Sequence, residues 1–389
     1  MNNFIINREL EFISDYLQEN IQQVKCVEGL FTGYLGTLIF FVEYNKRKNL
    51  FDELINDLTA NLINDIRSSK VDNLDLASGL SGYLFTLFFL EKNDYLESGA
   101  TRKLFESLKP TFVKVIKAKI ANGDFDFLYG YIGILHVCNK IDKQFVEEYE
   151  FIELILEDPK AKLPWRYNKE DNNQKLQNKR IDYGFAHGVP SIISFLLKCY
   201  ESNGGQQLKE ELCLAAEYLG SIISLDGLSY FTYSSFSNDS TRLAWCYGDL
   251  PNAILLARLC HSLELKSSGK MSEKILNTII TERCSVEKNG VLDNCLCHGS
   301  LGISFQFNYY QKLFNINTFQ NGAKHWLDIA INYQFNTGNK YFPHSDVTSG
   351  PLYDTEKHSM LEGITGCGLA YLSLCNNKRL LWEDLLMIN

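Results

Sequence analysis

Two short stretches of the chain bring thiol and imidazole groups together: "WCYG" at 245–248 and "CLCHGS" at 295–300. Cys246, Cys297 and His298 form a donor set suited to Zn²⁺, which takes thiolate and imidazole in tetrahedral geometry. Catalytic zinc sites use three protein ligands and keep the fourth position open. The same residues also suit a plainer role, with both cysteines as buried thiols and His298 as a hydrogen-bonded cap, and spacing alone does not separate the two. Cys295 is a rival ligand, but on a helix-entry turn it is expected to point away from Cys297 and is left out of the set. His187, in "FAHGVPS", stands immediately before Gly188, the register that His298 holds before Gly299. It is the candidate acid or base; the alternative is a satisfied core histidine. Asp126, in "GDFDFLYG", is placed to take or relay a proton or to orient His187, yet the same run permits a helix N-cap, and Asp124 serves as well. Arg242, six residues before Gly248, is a chemically capable cation at the same turn, or else the partner of an acid on the acidic surface. Tyr247 stands beside Cys246, in a catalytic role or in plain packing. The remaining histidines, at 136, 261, 325, 344 and 358, read as structural.

The elements that must position these groups show themselves as a repeat. Seven segments resemble one another: "LFTGYLGTLIFF" at 30–41, "LASGLSGYLFTLFF" at 76–89, "FLYGYIGILHV" at 127–137, "FAHGVPSIISFLL" at 185–197, "WCYGDLPNAILLARL" at 245–259, "LCHGSLGISFQF" at 296–307 and "LEGITGCGLAYLSL" at 361–374. Each sets a small or polar residue before a glycine (Gly33, Gly79, Gly130, Gly188, Gly248, Gly299, Gly363) and follows it with an apolar run of helical length. Runs apolar on all sides are buried helices, whereas the stretches between them, such as "FDELINDLTANLINDI", carry apolar residues at three- and four-residue intervals and are expected to be wet on one side. Seven buried and seven amphipathic helices in alternation predict an all-α protein, an α/α toroid with an inner and an outer ring. The first and last units then have to meet, which makes 1–389 a single domain. The glycine turns put free helix N–H groups and the chemically capable side chains at one mouth. Three long connections, 158–184, 225–242 and 339–359, are expected to wall or lid that face as small polar, partly β insertions, with 225–242 alternating as a strand does.

Bulk properties narrow the function. A 389-residue chain with 45% hydrophobic residues can bury a large core, and its net charge of −9 with no basic stripe argues against nucleic acid as a partner. The N-terminus lacks a secretory pattern, and the longest apolar run, "YLGTLIFFVEY", falls short of the ~20 residues that span a bilayer. A cytoplasmic location is therefore expected, peripheral to a membrane at most through a complex. Eleven cysteines, an odd number at irregular spacing, fit a reducing compartment; Cys138, Cys199, Cys213, Cys260 and Cys375 are assigned to packing.

The repeat together with "FAHG", "WCYG" and "CHG" in that order resembles the LanC-like family of lanthionine synthetase cyclases, over nearly the whole chain. The resemblance implies an α/α toroid with one zinc per chain, held by Cys246, Cys297 and His298. It matches His187 to the family's acid or base, Arg242 to the arginine before the first cysteine ligand, Asp126 to the aspartate before the third glycine, and Tyr247 to a tyrosine beside the metal. The implied reaction is intramolecular addition of a peptide cysteine thiol to dehydroalanine or dehydrobutyrine, giving lanthionine or methyllanthionine rings. The implied partners are a dehydrated precursor peptide with its leader, a separate dehydratase and an exporter. A zinc protein that binds glutathione, or adds it to dehydrated residues, would use the same ligands. Two departures, Pro251 with Asn252 in "WCYGDLPN" and Ser191 in "AHGVPS", fall beside the ligand turns. The 158–184 connection stands where the family carries a partly β insertion, and here it is short.

Overall fold

The computed structural model describes residues 3–68, 70–157, 163–166, 180–224, 229–332, 341 and 357–386. Every one of the seven glycines stands directly before a helix: Tyr34–Lys48, Leu80–Lys92, Tyr131–Ile141, Val189–Asn203, Asp249–Ser262, Ser300–Phe314 and Ile364–Leu374. These helices bury residues on all sides; in Ile364–Leu374 every residue is buried. The helices between them bury a stripe only. Asp52–Arg67 buries Ile55, Leu58, Thr59, Leu62 and Asp65, and Gln206–Ser221 buries Leu208, Leu212, Ala215, Ala216 and Leu219. That three- and four-residue spacing is one face of an α-helix. Asn3–Glu19 precedes the first buried helix, Ala100–Asn122, Lys266–Glu282 and Asn317–Asn332 are the other long helices between buried ones, and the short Phe145–Glu148 and Phe151–Glu157 follow Tyr131–Ile141.

The chain divides into two compact units, Met1–Val115 with Gly133–Phe145 and Leu292–Glu383, and Ile116–Ile132 with Val146–Val291 and Asp384–Asn389. In the first unit the helices that follow Gly33 and Gly363 pack on each other, and the Thr37 and Thr365 hydroxyls meet at 2.9 Å in the core. The beginning and end of the repeat are therefore neighbours there.

Backbone hydrogen bonds join successive glycine turns in a fixed register. In the first unit the Cys297 N–H donates to the Leu361 carbonyl (2.8 Å), Met360 to Phe31 (2.8 Å) and Leu30 to Ala77 (2.8 Å), which links turns six, seven, one and two. In the second unit Phe127 donates to Ala186 (3.1 Å) and Phe185 to Cys246 (2.7 Å), which links turns three, four and five. The accepting carbonyl always belongs to the residue two before the glycine. Buried turns have to pair these groups somewhere, and pairing each turn with the next fixes which side chains become neighbours.

Of the long connections, 229–242 forms no strand; its pairing is a lone antiparallel bridge between Asp182 and Ser234. The aromatic and polar alternation has another cause. Phe231 is buried, while hydroxyls close the loop on itself, Thr241 Oγ1 donating to the Phe231 carbonyl (2.8 Å) and Thr232 Oγ1 to Ser234 (3.0 Å). Most of 158–184 and of 339–359 lies outside the described residues. None of the eleven cysteines is in a disulfide; Cys138, Cys199 and Cys260 are buried as expected, whereas Cys213, on a one-sided helix, and Cys375, at the C-cap of Ile364–Leu374, are partly exposed. No helix among the described residues is long and apolar enough to cross a membrane.

Candidate functional site

Residue types repeat by register at the turns. The position before the glycine holds Thr32, Ser78, Tyr129, His187, Tyr247, His298 and Glu362, all at least partly exposed, while the position before that holds Phe31, Ala77, Leu128, Ala186, Cys246, Cys297 and Leu361, buried except for Leu361. Chemistry therefore enters through two side chains per turn.

The second unit assembles an acid–base cluster. His187 Nδ1 lies 2.6 Å from Asp126 Oδ2, while Asp126 Oδ1 accepts the backbone N–H groups of Leu128 (2.7 Å) and Tyr129 (2.8 Å). Asp126 is thus both the turn cap and the partner of the histidine. Asp124 is engaged elsewhere, with Lys119. The hydrogen bond from Asp126 raises the pKa of His187, partial burial opposes it, and the charges of Asp126, Asp182 and Cys246 add to the rise. With Nδ1 committed to the carboxylate, Nε2 is the nitrogen left to meet a substrate.

Tyr247 donates its hydroxyl to Asp182 Oδ2 (2.9 Å), and its ring lies 6.4 Å from that of His187. Burial, then the charge of Asp182, pushes the phenol up, so it stays a neutral donor. Asp182 Oδ1 also accepts the Gly184 N–H (2.7 Å), and a Cβ on Gly184 would stand 2.4 Å from the Tyr247 ring, so only glycine leaves the ring its place. Gly248 adopts φ 120°, and a Cβ there would meet the Arg242 carbonyl oxygen at 2.2 Å; the turn carrying Cys246 and Tyr247 therefore demands glycine twice over. Arg242 is half-buried at the start of that turn.

A buried ion pair braces the same turn. Arg283 Nη1 lies 2.5 Å from Asp249 Oδ2, Arg283 also donates to the Thr241 carbonyl, and Asp249 Oδ1 accepts the N–H groups of Tyr230 (2.9 Å) and Phe231 (2.8 Å). Residues on both sides of Arg242–Gly248 are tied to one guanidinium. Breaking such a pair by removing one partner costs about 3–5 kcal/mol.

In the first unit the turn 293–299 carries Cys297 and His298. Asp293 Oδ1 accepts the Cys295 N–H (2.8 Å), and the His298 ring nitrogens lie 3.9 Å from Asp293 and 4.0 Å from Glu362. Cys295, set aside on spacing, receives the His298 N–H on its sulfur at 3.4 Å. Burial first, and then the Asp293 charge, raises its pKa well above the ordinary thiol value, so Cys295 is held as a neutral thiol. Within the first unit the side chains of Asp293, Cys295 and His298 could hold a metal ion, their ligand atoms lying inside 4.8 Å of one another. Zinc takes sulfur and nitrogen donors first, and this set offers one of each beside a carboxylate.

Asp182, Asp293, Tyr129 and the Asp249–Arg283 pair were not read from the sequence as site residues. A signal for the first two was present, since both stand six residues before the glycine of a histidine-bearing turn.

The family model for lanthionine synthetase C-like proteins matches residues 27–387. Among solved structures, nisin cyclase matches with a TM-score of 0.73 at 17% identity, covering 98% of this chain and 97% of its own. At that identity the likeness establishes the fold, the α/α toroid that the glycine repeat predicts. A search of curated protein sequences found no match.

Proposed function

This chain belongs to the lanthionine synthetase C-like family, and on that premise we propose that it is a zinc-dependent peptide cyclase. Its reaction is addition of a peptide cysteine thiol to a dehydroalanine or dehydrobutyrine of the same peptide, with (methyl)lanthionine as product. The observation that carries the reading is the His187–Asp126 hydrogen bond of 2.6 Å in the turn register that also supplies Cys246, Cys297 and His298. Cys246, Cys297 and His298 are the ligands assigned to one zinc ion per chain, on the chemistry of the donor set. The contribution of zinc bound there is acidification of the peptide thiol, whose ordinary pKa of about 8.5 leaves little thiolate at neutral pH.

The chain's own residues handle the rest of the reaction. As the new C–S bond forms at Cβ, the alkene electrons move toward the carbonyl oxygen, and Arg242 is the cation assigned to that developing negative charge. His187, its pKa raised by the hydrogen bond to Asp126, donates from Nε2 to Cα, which completes the saturated thioether, and regains a proton from solvent. Asp126 orients the ring and stabilises its cationic form. Tyr247, fixed by Asp182, fills the space beside the imidazole as a neutral donor. The proton lost by the thiol leaves to solvent, so the overall reaction is an isomerisation. The substrate class is a dehydrated precursor peptide.

Elemental analysis of the purified chain beside Cys297→Ala tests the assignment. About one zinc per chain, lost in the variant together with thioether formation on a synthetic peptide holding one cysteine and one dehydroalanine, is the expected result. A chain without zinc, or a variant that keeps zinc and activity, refutes it.

A further inference from the structure

We propose that Tyr129 is a substrate-contacting residue, the aromatic face against which the planar dehydroamino acid of the peptide lies beside His187. The inference rests on the cyclase reading above and adds a subsite to it.

Four observations in the second unit carry it. Tyr129 occupies the position before Gly130, the same register as His187 before Gly188 and Tyr247 before Gly248. Its ring runs parallel to the His187 imidazole, with an interplanar angle of 7° and centroids 6.4 Å apart. Its backbone is pinned on both sides, the N–H by Asp126 Oδ1 (2.8 Å) and the carbonyl by Lys119 Nζ (3.0 Å). Despite that fixed placement, 50% of the residue is exposed, making it one of the few large apolar side chains on the surface. His187 and Tyr247 lie further in than Tyr129, being only partly exposed.

The coupling through one carboxylate is the important feature. Asp126 holds the His187 ring with one oxygen and the Tyr129 backbone with the other, so one carboxylate positions both the proton donor and the turn that carries the phenol. The reacting group of the substrate is an alkene conjugated to an amide, which is flat and electron-poor. The phenol face is flat and electron-rich. Offset stacking between such groups is favourable, and it would hold the alkene next to the imidazole that must protonate Cα. The saturated product has a tetrahedral Cα and loses the match, which favours its release.

The test uses the full chain, a synthetic peptide with one cysteine and one dehydroalanine, and a control peptide with alanine in place of dehydroalanine. Tyr129→Ser is expected to raise KM for the first peptide on the order of 3- to 10-fold, with kcat unchanged because the lost contact is made equally in ground and transition states. Tyr129→Phe keeps the ring and is expected to match the parent, and the affinity for the alanine peptide is expected to stay the same in all three proteins. Zinc content and Tm, read alongside, show that each variant is folded. An unchanged KM in Tyr129→Ser overturns the proposal. So does a fall in kcat alone, which would make Tyr129 a support for His187, or an equal loss of affinity for the alanine peptide. A parent chain that forms no thioether above the uncatalysed rate refutes the cyclase reading and this inference with it, whereas an active parent with an unaffected Tyr129→Ser refutes the inference alone.

Discussion

Turns two and three each close on an aspartate, and what the second carboxylate oxygen meets separates scaffold from chemistry. Asp75 and Asp126 each stand four residues before the turn glycine. Asp75 Oδ1 accepts the N–H groups of Ser78 (2.8 Å) and Gly79 (2.9 Å), and both of its oxygens face the Ser78 hydroxyl, at 3.2 and 3.4 Å. Every one of those bonds stays inside the turn. Asp126 Oδ1 also caps its turn, accepting the Leu128 and Tyr129 N–H groups, but its Oδ2 reaches His187 in the next turn. A carboxylate needed to close the turn thus acquires a second role when a histidine occupies the adjacent repeat. The fold supplies the oriented acid; one neighbouring residue decides whether it has anything to orient.

Substitutions can break this comparison, beginning with the largest effect. His187→Asn removes the proton donor while leaving a side chain able to bond Asp126, and thioether formation is expected to fall by about 10²- to 10⁴-fold, with zinc content and Tm retained. A variant with full rate would reduce turn three to the status of turn two.

Asp126→Asn sharpens the contrast through pH. The hydrogen bond to Asp126 raises the His187 pKa above 6.5, so the protonated acid persists to higher pH than in a free imidazole, and activity declines as pH rises through the raised value. Without the carboxylate charge the alkaline limb of the rate profile is expected to move to lower pH, with about tenfold less acid form above the pKa for each unit lost. The stability contribution of the pair has the same sign: it is complete below 6.5 and is lost as pH rises through the raised folded-state value. An alkaline limb that stays in place in Asp126→Asn would show that another group sets it.

The smallest effect belongs to Asp75→Asn. The amide oxygen still accepts the turn N–H groups, so the cost to stability is expected to stay below about 1.5 kcal/mol, with rate and pH profile unchanged. If Asp75→Asn slowed the reaction as Asp126→Asn does, the two carboxylates would not be distinguished by their neighbours.

Much of the molecule was legible in the residues. The seven glycines marked the helix starts, and at six of them, Gly33, Gly79, Gly130, Gly188, Gly248 and Gly299, the turn leaves no room for a Cβ: at Gly188 one would lie 2.3 Å from the Asp182 carbonyl oxygen. Buried and one-sided helices followed from apolar periodicity, since a helix enclosed by others must be apolar all round and a surface helix need not be. Where local pattern was the only guide to a loop it failed. The alternation in 225–242 suggested a strand, yet a strand requires a partner of matching length, and the stretch near Asp182 offers a single bridge.

The sequence by itself determined the repeat, the helical class and the inventory of reactive side chains, because glycine sterics, apolar periodicity and residue chemistry are local properties. Only the tertiary structure chose Asp126 over Asp124, gave Tyr247 its partner Asp182, placed Cys295 beside His298 and set Tyr129 parallel to His187. Those choices join residues such as His187 and Asp126, 61 positions apart, or Tyr247 and Asp182, 65 apart. Such pairs are decided by which turn lies next to which, and that is fixed by backbone bonds from one turn to the next, which no single repeat encodes.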